Sequence, residues 1–151
     1  MEERMAEMAA LVLLGANAIQ DARKREMLPW ATLLGALLGG GLAYRQGIRP
    51  AEFAFGLAAG LCLMGLSGLS KGAVGMGDGL VVTALGCLLR WERVWESLLA
   101  GLLLCAGAAF LCLAGKRGKE QTLPFLPFLL AGHLLCLLSH ATGLWRGGMG
   151  R

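Results

Sequence analysis

Two aspartates carry the chemistry this sequence could do. Asp78 closes the stretch Gly75-Met76-Gly77-Asp78 at the mouth of an apolar segment, and Asp21 ends another such segment. An ionisable side chain at the hydrocarbon boundary of a membrane is costly and marks a functional site by default. Two carboxylates within hydrogen-bonding reach of one water are the equipment of an aspartyl protease. Like charges that close cannot both ionise, so the pair shares a proton. One carboxylate draws a proton from the water, and the protonated one polarises the scissile carbonyl. The titration then belongs to the pair and not to either residue. Helix-end electrostatics add an expected asymmetry. Asp78 opens a helix, where the dipole favours an anion, whereas Asp21 closes one, where the dipole disfavours it; Arg23, Lys24 and Arg25 push the other way. The charge is thus expected on Asp78 and the shared proton on Asp21. Gly75, Gly77 and Gly79 remove side chains from around Asp78 and permit positive φ there. Backbone left unpaired in lipid is not tolerated, so an extended substrate needs a water-accessible cleft at the membrane edge.

Composition says what must position these residues. The chain has 151 residues, 56% of them hydrophobic and 16% charged, with 24 glycines besides. Soluble domains are about 25% charged. The expectation is an all-α polytopic membrane protein with a single domain over residues 1–151. Its net charge of +4 reflects basic loops near anionic lipid, and no basic run interleaved with aromatics points to nucleic acid. Six apolar segments cover roughly 5–20, 28–44, 51–69, 74–90, 94–114 and 123–143. A span needs about 20 residues, so the first and fourth are short. The first is read as a retained helix, because Met1-Glu2-Glu3-Arg4 is not the basic start of a signal peptide.

If all six segments span, Asp21 and Asp78 fall on one side. That side holds Arg23, Lys24, Arg25, Lys71, Lys116, Arg117 and Lys119, and the other holds Arg4, Arg45, Arg49, Arg90, Arg93, Arg146 and Arg151. The count is equal, so charge alone does not orient the chain. Clustering, and possession of all four lysines, favour the first set as cytoplasmic. Gly56-Leu57-Ala58-Ala59-Gly60 has the small-xxx-small spacing of closely packed membrane helices, read as packing within the bundle; a homo-oligomer stays open.

Three stretches, in order along nearly the whole chain, resemble the type IV prepilin peptidase family in its small form without the inserted cytoplasmic domain. Asp21-Ala22-Arg23-Lys24-Arg25-Glu26-Met27-Leu28-Pro29-Trp30 is similar to its first motif, an aspartate and a basic cluster followed by Ile-Pro-Asn. Gly75-Met76-Gly77-Asp78 is similar to its GxGD motif, and Leu123 to Gly132, with Pro124 and Pro127, to its late Pro-Phe-x-Pro-Phe segment. The resemblance implies an integral aspartyl endopeptidase of the inner membrane, with its site facing the cytoplasm. Its partners would be the bilayer and a prepilin-like or pseudopilin-like substrate, cut after a short basic leader. It implies Asp21 and Asp78 as catalytic residues. Pro29, Pro124 and Pro127 join the glycines as residues that shape the site. Two departures stand out: Trp30 replaces the usual asparagine, and Gly79-Leu80 stands where a lysine commonly lies two places after the aspartate. The paired cysteines of the larger members' zinc domain are missing as well, which puts methyltransferase activity in doubt.

The remaining residues have plainer readings. Cys62, Cys87, Cys105, Cys112 and Cys136 form no CxxC pair and read as small buried hydrophobes. His133 and His140 sit seven apart with no further ligands converging, so neither a metal nor any cofactor is expected. Trp91, Trp95 and Trp145 lie near segment ends, as in an interfacial aromatic belt. Glu26 and Glu120 are candidates to meet a basic leader. The rival reading is a diverged, catalytically silent scaffold or transporter-like subunit. A transporter would show an internal repeat and mid-helix charges, neither of which is evident. A presenilin-type or signal-peptide-peptidase-type enzyme would place its first aspartate in a Tyr-Asp setting, whereas here the pair is Gln20-Asp21.

Overall fold

The computed structural model describes residues 2–24, 28–69, 75–114 and 124–142. They form six helices: α1 (Glu2–Lys24), α2 (Pro29–Arg45), α3 (Pro50–Leu69), α4 (Met76–Leu88), α5 (Trp91–Ala114) and α6 (Phe125–Ala141). Each expected apolar segment is a helix, but the ends move. α1 runs on through Asp21, because Arg23 and Lys24 in its last turn complement the helix dipole. α4 stops early, at Leu88, because Leu89 turns extended (φ −109°, ψ 156°). Pro29 opens α2, where a missing N–H costs nothing.

α4 is the hub. Gly79, Val81, Val82, Ala84, Leu85, Gly86 and Leu88 are all buried, and neighbours approach on several sides. Antiparallel packing against α3 depends on glycine at both surfaces. A Cβ on Gly56 would lie 2.8 Å from the Gly86 carbonyl oxygen, and one on Gly86 would collide with the Gly56 carbonyl. One turn on, a Cβ at Gly60 would strike Thr83, and one at Gly79 would lie 2.5 Å from Met64 Cγ. The Gly56/Gly60 pair thus serves packing inside the bundle, as its spacing predicts. On another side, a Cβ on Gly39 of α2 would come 2.5 Å from the Cys87 backbone. Without side chains, the backbones approach closely enough for dispersion to hold them.

α5 and α6 form a second antiparallel pair, close at Gly101 and Gly132, where a Cβ on Gly132 would lie 2.5 Å from the Gly101 nitrogen. Polar contacts join the far end of this pair. Ser97 Oγ lies 2.8 Å from His133 Nδ1. His140 Nε2 lies 3.0 Å from Glu96 Oε2, and Arg93 bonds Glu7 of α1 at 2.8 Å. Trp95 donates to the Phe55 carbonyl, and Trp91 stacks at a tilt on Phe55, so both tie α5 to α3. Trp145 lies outside the described residues.

Two expectations need correction. None of the five cysteines is fully buried, and Cys62 is exposed, because the bundle turns those helix faces outward. Positive φ occurs, among the described glycines, only at Gly47 (φ 63°), in the α2–α3 turn; the glycines near Asp78 act by size alone. α3 and residues Trp91–Cys112 of α5 are long and apolar enough to cross a membrane.

The glycine interlock sets an expected pattern of stability. Gly86→Ala should cost about 1–3 kcal/mol by overpacking against α3 backbone. Gly40→Ala, with nothing within 4 Å of the new Cβ, should cost nothing. Denaturant unfolding of the purified variants checks this, and equal midpoints for the two would contradict the interlock.

Candidate active site

Asp21 and Asp78 come from helices that meet end to start. Asp21 occupies the last turn of α1, and Asp78 the first turn of α4. Both are half-buried, and the charge of Asp21 acts directly on the Asp78 carboxyl.

The third element is α6, and its entry explains why it comes here. The first N–H groups of a helix lack partners within it. Pro124 is the N-cap residue of α6 and Pro127 lies three residues on, so neither has an N–H to satisfy. Pro124 offers no side-chain cap either. The Leu126 N–H between them donates to Asp21 Oδ2 at 3.3 Å. Asp21 therefore caps α6 from another helix. This removes the expected asymmetry between the two aspartates: Asp21 closes α1 but also sits at the start of α6, so each carboxyl faces a helix N-terminus. Neither helix end assigns the shared proton to one residue.

The glycines around Asp78 divide the work. Gly75 is the N-cap residue of α4, exposed and in an ordinary extended conformation (φ −66°, ψ 128°). Its carbonyl accepts the Asp78 N–H at 3.1 Å. A Cβ there would sit 3.0 Å from Asp78 Oδ2, so glycine leaves one face of the carboxyl open. Gly79 is buried and lets α3 approach behind the aspartate. Gly77 is a half-buried helical residue of the same turn.

Pro29 is exposed at the start of α2 beside Trp30. The entry to α2 is tied to α1 by Asn17, whose Oδ1 accepts the Leu28 N–H at 3.0 Å. Motif reasoning passes over Asn17 and the Leu126 N–H. The signal for Asn17 is an amide inside an otherwise apolar segment. Arg25, Glu26, Lys71, Lys116, Arg117, Lys119 and Glu120 lie outside the described residues. His133 and His140 lie toward the opposite end, on Ser97 and Glu96, as does a shallow pocket between Glu7, Gln46, Arg90 and Arg93. Among the described residues no group of three or more His, Cys, Asp or Glu is placed to hold a metal ion.

The cap makes a prediction separate from any activity. Asp21→Ala leaves the Leu126 N–H without its acceptor and should cost about 1 kcal/mol, whereas Asp21→Asn keeps a carbonyl oxygen there and should cost about half that or less. Unfolding midpoints of the two variants test this, and identical midpoints would remove the cap.

A model of the type IV leader peptidase family matches residues 8–113, well over half of the chain. No curated protein and no solved structure matches it. The matched stretch contains both aspartates and the glycines around Asp78, and it ends before the Pro124–Pro127 segment that the fold brings to Asp21. The chain belongs to the type IV leader peptidase, or prepilin peptidase, family.

Proposed function

We propose that this protein is a multi-pass aspartyl endopeptidase of the inner membrane. In this reading it removes the short basic leader of prepilin-like or pseudopilin-like precursors at the cytoplasmic face, with Asp21 and Asp78 as its catalytic pair. One observation carries the reading: two aspartates from distant parts of the sequence come within electrostatic reach at one end of the helices, in a chain of the leader peptidase family.

Surface chemistry supports the bilayer. Leu37, Phe55, Leu103, Phe110 and Leu111 are each more than 60% exposed. The apolar windows of α3 and α5 are only 28% and 22% buried, whereas the core helix of a soluble protein is mostly buried. A hydrocarbon surround removes the cost of exposing them. The length of α4 supports a cleft. A helix of 13 residues is about 20 Å long, against a hydrocarbon core of about 30 Å. An enclosed short helix leaves room for water at its ends, where an extended substrate needs it.

The chemistry follows from the pair. A water between the carboxyls loses a proton to the ionised one and attacks the scissile carbonyl. The protonated carboxyl donates a hydrogen bond to that carbonyl's oxygen as charge develops there. Collapse of the tetrahedral intermediate sends the proton from the first carboxyl to the departing amine. The Leu126 N–H holds Asp21 in place, and the bare Gly75 leaves a path to Asp78. Since one carboxyl must be charged and the other neutral, activity falls at low pH, where both are protonated, and at high pH, where both are ionised.

The test is cleavage of a prepilin-like precursor in membranes holding wild type, Asp21→Asn or Asp78→Asn at matched expression. Wild type should cut with a bell-shaped pH profile, and each variant should lose at least about 100-fold in rate, as loss of acid–base catalysis entails. Cleavage by both variants would overturn the assignment. Inertness of wild type on several precursors would favour the silent scaffold.

A further inference from the structure

We propose that Asn17 is a positioning residue for the peptidase site, locking the entry of α2 to the helix that carries Asp21. The inference rests on the peptidase reading above and concerns the same site.

Asn17 is completely buried, and both ends of its amide are bonded. Nδ2 donates to the Leu13 carbonyl at 2.9 Å, and Oδ1 accepts the Leu28 N–H at 3.0 Å. The partners fix the amide's orientation, because the flipped form would set oxygen against a carbonyl and NH₂ against an N–H. They also fix the residue type. Leucine has the volume but strands the Leu28 donor; aspartate accepts that donor but opposes the Leu13 carbonyl.

The position of this bond ties it to the site. Asn17 and Asp21 are four apart on one face of α1, so Leu28 returns to a level about 6 Å, one turn, inside Asp21. The Leu28 carbonyl is also held, by the Thr32 N–H and by Thr32 Oγ1, both at 3.0 Å. Asp21 is thus bonded to α6 through the Leu126 N–H, and Leu28, at the entry of α2, is bonded to α1 through Asn17. α2 has no side-chain cap of its own, and Pro29 contributes no N–H, so Asn17 supplies the hydrogen-bond acceptor at its entry. Loss of that acceptor frees the entry of α2 from the helix that carries a carboxyl which must meet a partner. A misplacement of about 1 Å in such a site costs up to about 100-fold in rate.

The experiment measures kcat and KM for a prepilin-like peptide across pH for wild type, Asn17→Leu and Asn17→Ala, with Asp21→Asn as reference. Unfolding midpoints show how much of each variant is folded. Per folded molecule, the Asn17 variants should lose about 10-fold or more in kcat with KM little changed. Their pH profile should move, because the spacing of the carboxyls sets their coupling. A purely structural residue would lower the amount of active enzyme and leave the profile of the remainder superimposed on wild type; that result overturns the proposal. If neither variant accumulates, Leu28→Pro deletes the same hydrogen bond from the donor side, at a residue whose φ of −91° is near the proline range. It should show the same loss and the same shift, and a wild-type profile there overturns the proposal equally. Cleavage by Asp21→Asn would bring down the peptidase reading itself. Loss in Asp21→Asn with wild-type behaviour in the Asn17 or Leu28 variants brings down the role of Asn17 alone.

Discussion

Two carboxyl groups held near one another repel, and more so where water is scarce. This protein's fold must supply the force that holds Asp21 and Asp78 together. It comes from packing elsewhere. α4 is gripped through Gly39, Gly56, Gly60, Gly79 and Gly86, at distances no side chain would permit. Asp78 stands at the end of that grip, one residue before Gly79. Asp21 is held differently, by the Leu126 N–H in the first turn of α6, between Pro124 and Pro127. One carboxyl is fixed by close backbone contact and the other by a hydrogen bond across the bundle.

The two ends of the helices are built from different chemistry. One end brings Asp21 and Asp78 together beside the basic last turn of α1. The other end pairs opposite charges, Arg93 with Glu7 and Arg90 with Glu92, and joins His140 to Glu96. Those pairs are partly exposed, so each adds little stability. They do tie the start of α5 to α1 and α6. Between the ends, glycine and alanine surfaces do the packing.

Much of this was legible in the sequence, and what was not has a physical reason. Six helices follow from six apolar runs, and Gly56-xxx-Gly60 showed that some backbone would approach closely. It did not show which helix, because the complements lie far along the chain, at Gly86, 30 residues from Gly56, and at Thr83 and Gly79, 23 and 19 residues from Gly60. The helix ends were blurred, since Asp21 to Lys24 read as a loop by polarity while the charge pattern let α1 continue. The role of Leu126 was hidden entirely, because a backbone N–H carries no sequence signature. That contact removes the helix-end argument for the expected division of charge, which had considered only the helix to which each aspartate belongs.

The central claim is that Asp21 and Asp78 form one coupled pair. Infrared difference spectroscopy of the carboxyl bands, titrated in the purified protein, tests it most directly. Asp78 should titrate in coupled steps in wild type and in a single step in Asp21→Asn, with the band position changed. A titration of Asp78 that is the same with and without the Asp21 carboxylate would show two independent aspartates and rule out a coupled pair.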